Sequence, residues 1–179
     1  MANTTASQEG RSRMVTGMFR DRESAERAYQ SVTGRGYNKD DVNLVMSDDT
    51  RKKHFSADDS NTELGNKALE GAGAGSAIGG TVGAILALVA AAGTLAIPGL
   101  NIVAAGPIVA ALTGAGAGGL AGGLIGALVG WGIPEERAKA YETGIREGGI
   151  VMGVNPRTDE DAEYFEREWK NNRGEQIYR

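Results

Sequence analysis

The chain holds a single histidine, His54, and carboxylates surround it: Asp48 and Asp49 precede it, Asp58 and Asp59 follow. An imidazole nitrogen beside several carboxylate oxygens is a donor set for a divalent cation. The same stretch carries Arg51, Lys52 and Lys53, whose charges oppose a cation, so the expectation is a solvated charge run that binds no metal. One histidine also leaves little for acid–base chemistry, and no nucleophile–base spacing can be identified among the hydroxyl and carboxylate residues. Without cysteine, disulfides and thiolate metal sites are excluded. A second candidate is Gly114-x-Gly116-x-x-Gly119, which matches the dinucleotide-binding fingerprint and follows the apolar run 108–112. Glycine is dense enough here for chance matches. No ribose-binding carboxylate lies inside the next 15 residues, and a second βαβ unit of the required kind is missing. The sequence therefore predicts no catalytic residue, no metal and no cofactor.

The strongest pattern concerns packing. Gly71, Gly75, Gly79 and Gly83 recur every fourth residue, and so do Gly114, Gly118, Gly122, Gly126 and Gly130. On a helix this spacing lines one face, giving a bare stripe where a second helix can approach closely. Each glycine costs a helix interior about 1 kcal/mol relative to alanine, so close packing must offset it. Both ladders lie in the segment 71–134, which holds none of the 19 basic and 23 acidic residues and whose one aromatic residue is Trp131. Turn signals at Ile97-Pro98-Gly99-Leu100-Asn101 and Gly106-Pro107 divide the segment. The expectation is a helical hairpin: helix A over 66–92, an apolar connection over 93–106 turning at Pro98, Gly99, Gly106 and Pro107, and helix B over 107–131. Each helix would be roughly 30–38 Å long, near the thickness of a bilayer core. Trp131 would then be an interface anchor, or would pack at the junction with the polar remainder.

The elements around this block follow from apolar periodicity and caps. Residues 14–19 read as a strand. Asp21 caps a helix over 22–33 with Ala25, Ala28, Tyr29 and Val32 inward, stopped by Gly34 and Gly36. A second strand covers 42–46, and 47–61 reads as a mobile charged linker. Beyond the block, Pro134-Glu135-Glu136 opens a helix that buries Ala138, Tyr141 and Ile145, and a third strand covers 150–154. Thr158 caps a last helix burying Ala162, Phe165 and Trp169, and Ile177-Tyr178 forms a short fourth strand. The order β-α-β … α-β-α-β predicts an α+β fold, a small ferredoxin-like sandwich carrying an inserted apolar glycine-zipper hairpin. The expected organisation is a disordered tail without a signal peptide (1–13), the first half of the α+β domain with its linker (14–61), the hairpin (62–133) and the second half (134–179).

The start Val15-Thr16-Gly17-Met18-Phe19, with Gly36-Tyr37-Asn38-Lys39-Asp40-Asp41-Val42, resembles the bacterial general stress protein domain of the heat-induced, YflT-like family. The later runs Ile97-Pro98-Gly99-Leu100, Gly130-Trp131-Gly132-Ile133-Pro134-Glu135-Glu136 and Gly149-Ile150-Val151-Met152 are similar to glycine-zipper proteins of the same stress-associated group. The resemblance implies a stress-response protein and supplies no catalytic residues. With the glycine ladders it gives the functional expectation: a non-catalytic homo-oligomer, associated with a lipid membrane. Its expected location is the bacterial inner membrane, with cytoplasmic termini. The alternatives are a soluble scaffold or lipid-surface coat, forming a cytoplasmic assembly with the hairpins in its core, and a pore. The net charge of −4 and the lack of a basic stripe argue against nucleic acid as a partner, and no small-molecule substrate is indicated.

Overall fold

The computed structural model describes residues 14–55, 95–97, 101–106, 108 and 123–179. Within them the protein is α+β, built on an open antiparallel sheet. In chain order the elements are β1 (Val15–Phe19), α1 (Arg22–Thr33), β2 (Val42–Ser47), α2 (Asp48–Phe55), β3 (Leu95–Ile97), β4 (Ile102–Ala105), α3 (Gly123–Gly130), α4 (Glu135–Arg146), β5 (Ile150–Val154), α5 (Asp159–Asn171) and β6 (Glu175–Tyr178). The strands lie in the order β3-β4-β2-β5-β1-β6. The central pairing runs from Val42 opposite Val154 to Met46 opposite Ile150, and β1 pairs with the other side of β5 from Val15 opposite Val154 to Phe19 opposite Ile150.

The helices form where caps and apolar faces direct them. Asp21 accepts from the Ser24 amide at 2.8 Å and opens α1. Thr158 accepts from the Asp161 amide at 3.1 Å and opens α5. These two helices cover one face of the sheet with the expected residues, among them Ala28, Val32, Phe165 and Trp169. The opposite face is covered by α3 and α4, where Leu124, Leu128, Tyr141 and Ile145 meet Met18, Val45 and Val151. Strands β1, β2 and β5 are thus covered on both faces, which is why they read as short apolar runs rather than as clean alternation.

Each face seats a tryptophan on a strand glycine. A methyl group at Gly17 would lie 3.0 Å from Cε3 of Trp169, and one at Gly153 would lie 2.3 Å from Cη2 of Trp131. Glycine inside a strand commonly marks such close approach. Trp169 also meets Phe19 edge-on, with ring centroids 5.7 Å apart, and its indole N–H donates to the Ala28 carbonyl at 3.3 Å.

Two expectations are corrected. The charged segment 47–61 is not a linker throughout: β2 runs straight into α2, and Ser47 caps that helix by accepting from the Thr50 amide at 3.0 Å. Phe55 at its end enters the core because the Arg22 side chain and the first apolar cluster close over it. The connection 93–106 is not a distant turn of a hairpin. Its residues form β3 and β4, and β4 pairs with β2 from Leu44 opposite Ala105 to Ser47 opposite Ile102. The edge of β2 offers unpaired backbone groups, and Ile102 and Ala104 add side chains to the second core. Helix A lies outside the described residues, as do residues 109–122 of helix B. The end of helix B is α3, which stops at Gly130.

Candidate functional site

Two features of the fold present chemistry at the surface. The first is the outer side of α3. Leu124, Ala127 and Leu128 point inward, and the opposite side carries Val129, 43 % exposed, beside the ladder glycine Gly130. Among the described residues, a methyl group at Gly130 would meet nothing within 4 Å. At this end the stripe faces away from the domain core. Gly126 lies on the same helix and is half-buried. Gly71, Gly75, Gly79, Gly83, Gly114, Gly118 and Gly122 lie outside the described residues, as do Pro98, Gly99 and Pro107.

Gly106 is described, and its role is local. It follows β4 with φ +92°, a region that penalises side chains, and a methyl group there would lie 2.2 Å from the Val42 carbonyl oxygen. It lets the chain leave the sheet at that point. Just beyond, the Ile108 amide donates to the Asn43 side-chain carbonyl at 2.5 Å, a buried bond. Trp131 packs over Gly153, at the junction with the sheet.

The second feature is a polar cleft of about 530 Å³ at the end of the sheet where β1 and β2 finish and β4 and β5 begin. Arg20, Lys53, His54 and Arg146 lie around it, with Asp49 and Glu147 between them. Arg20 donates to Glu147 at 2.7 Å and to Glu175 at 3.0 Å, and these carboxylate contacts raise its pKa further. Asn101 donates from its side-chain amide to Asp49 at 2.9 Å. The sequence reading did not find this cleft, because Asn101 and Gly148 reach it through the fold from segments far from α2.

Of the histidine–aspartate cluster, Asp48, Asp49 and His54 lie on α2. Asp48 is held by Lys52 at 2.6 Å and Arg51 at 2.7 Å, and hydrogen bonds from these two, Lys52 first, lower its pKa. Arg22 donates to the His54 carbonyl at 2.8 Å. Among the described residues no three histidine or carboxylate side chains converge on one point. Asp58 and Asp59, and the glycines of the dinucleotide fingerprint, lie outside the described residues. Ile108, at the start of the run before that fingerprint, is helical, and β4 before it pairs antiparallel with β2 and β3.

No protein-family model matches the chain, and no curated protein or solved structure matches it either. Among the described residues, no helix is long and apolar enough to cross a membrane.

Proposed function

We propose that this chain is a non-catalytic, stress-associated protein that self-associates through its glycine ladders, with its α+β domain holding those apolar segments against a lipid surface from one side. The observation that carries this reading is the pairing of β4 with β2. It places residues 102–105, in the middle of the uncharged block, in the sheet, so the segments 71–94 and 109–122 are each joined to the domain at both ends. A segment with both ends on one domain must cross a bilayer an even number of times. Even wholly helical, the uncharged residues 71–94 would reach about 36 Å, one crossing, and residues 109–122 about 21 Å, less than one. These lengths favour dipping into one leaflet over spanning, and a site on the cytoplasmic face of the bacterial inner membrane over insertion through it. The outward, unobstructed Gly130 supports ladder contacts made outside the domain core. The order β2-β5-β1-β6, with α1 and α5 on one face, supports a ferredoxin-like core to which β3, β4, α3 and α4 are added.

A lipid-free assembly is the second reading, favoured by the short reach of 109–122, which suits helix contacts without lipid. The absence of cysteine makes a clean test. Asn101→Cys and Glu136→Cys, both at exposed positions, are labelled with a membrane-impermeant thiol reagent on sealed vesicles. The proposal expects both sites to react from the same side and the protein to float with lipid. Protection of position 101 alone would restore the spanning hairpin. Large particles that never float would favour the lipid-free assembly, and turnover of any substrate lost with His54→Ala would end the non-catalytic reading.

A further inference from the structure

From the geometry of the cleft between α2 and the end of α4, we infer a binding site for a small soluble molecule carrying a phosphate or carboxylate group. Its lining includes Ser47 and Thr50, whose hydroxyl oxygens lie 2.8 Å apart. The Thr50 amide already donates to Ser47 Oγ. Of the two hydroxyl hydrogens, one joins the pair, and the other has no acceptor among the described residues. The spare hydrogen belongs to whichever hydroxyl does not donate within the pair; Thr50 is buried, Ser47 is half-buried, and both line the cleft, where competition from bulk water is reduced. One turn along α2, the Lys53 ammonium lines the same cleft and has no carboxylate partner among the described residues.

The remaining charges are arranged around these two donors. Arg20, Lys53 and Arg146 line the cleft with Asp49 and Glu147; Arg20 is also paired with Glu175 and Arg146 with Glu142, so of these three cations Lys53 is the one without a carboxylate partner among the described residues. Asp49 is hydrogen-bonded by Asn101 and Glu147 by Arg20, so neither is directed at Lys53. Arg146 is bonded to Glu142 at 3.0 Å, which offsets its charge at the rim. The two rim carboxylates disfavour a polyphosphate and fit a ligand with one anionic group, which would accept from the spare hydroxyl and from Lys53 together. The hydroxyl pair lines a cleft and Thr50 is buried, which favours a small molecule that enters over a flat anionic surface.

The test is equilibrium dialysis of the full chain in mild detergent against radiolabelled inorganic phosphate and, separately, labelled acetate. The expected result is one saturable site per chain for at least one of the two anions. Lys53→Gln is expected to weaken it by about tenfold or more, and Thr50→Val by several-fold. Lys52→Gln, one residue away and paired with Asp48, is expected to leave it unchanged. Lys53 is exposed, so its variant tests the site even if Thr50→Val fails to fold. Uptake of neither anion, or equal loss in the Lys52 and Lys53 variants, would overturn the inference. Displacement of the bound anion by phosphatidylglycerol vesicles would overturn the soluble ligand in favour of a lipid headgroup.

Discussion

Three glycines that look alike in the sequence do different work in the fold. Gly153 is the seat of Trp131, and a methyl group there would meet the indole at 2.3 Å. Gly153→Ala is expected to cost about 1–3 kcal/mol, the usual range for overfilling a packed site, read from the midpoint of urea unfolding. Gly106→Ala would combine a left-handed backbone with a 2.2 Å contact to the Val42 carbonyl, and is expected to cost at least as much. Gly130 is exposed, with no described residue near where its side chain would be. Gly130→Leu is expected to shift stability by no more than about 0.5 kcal/mol, as surface changes usually do. If the ladder is an association surface, the same change lowers the oligomer mass measured by light scattering. An unchanged mass would show that this end of the stripe is not a contact.

At the scale of elements, the capped helices were legible and the weak strands were not. Asp21-x-x-Ser24 with a regular apolar face, and Thr158 with three acids after it, are strong helix starts, and α1 and α5 form over those residues. The cap of α1 carries a pH signature. Burial pushes the Asp21 carboxyl up, but hydrogen bonds from the Ser24 amide and hydroxyl, with Arg173 and Arg27 nearby, outweigh it and hold its pKa below the ordinary value. A carboxyl with a lowered folded-state pKa stabilises the fold above its unfolded pKa. That contribution is lost as pH falls through the lowered value. Asp21→Ala should therefore cost about 1 kcal/mol at neutral pH and less in acid, whereas Asp21→Asn, which still caps, should lose the pH dependence of this contribution. Unfolding midpoints at neutral pH and near about pH 3 check the difference. By contrast, Ile102-Val103-Ala104-Ala105 carries no alternation and sits between two turn signals inside a helix-like composition. Its strand identity comes from the partner edge of β2, which no local window contains.

For the whole molecule, the uncharged block is not a detachable appendage. Ile102, Ala104, Ile108, Leu124 and Leu128 all belong to the core under α4. Deleting residues 71–133 would uncover Val45, Val151 and Tyr141, and each lost large side chain costs about 2–5 kcal/mol. That variant is expected to aggregate or to lose its near-ultraviolet circular dichroism. A shorter deletion, 71–92 together with 109–122 replaced by short linkers, keeps β3, β4, Ile108 and α3, and is expected to stay folded. Size-exclusion chromatography of the two variants side by side is the measurement. A folded monomer from the larger deletion would show that the second core is dispensable.

The sequence by itself determined the α+β character, the helices α1, α4 and α5 with their buried faces, and the segregation of every charge away from residues 71–134. These are local properties, set by caps, period and composition within a few turns of chain. The tertiary structure decided where the middle of the uncharged block goes, which glycine is a seat and which is bare, and that Arg20, Thr50, Asn101 and Arg146 share one cleft. Each of these depends on partners far apart in sequence: a free strand edge at Leu44–Ser47, an indole across the sheet, a helix end that arrives a hundred residues later. Hydrogen-bond pairing and packing choose among such partners only once the sheet is assembled, so no reading of neighbouring residues could have specified them.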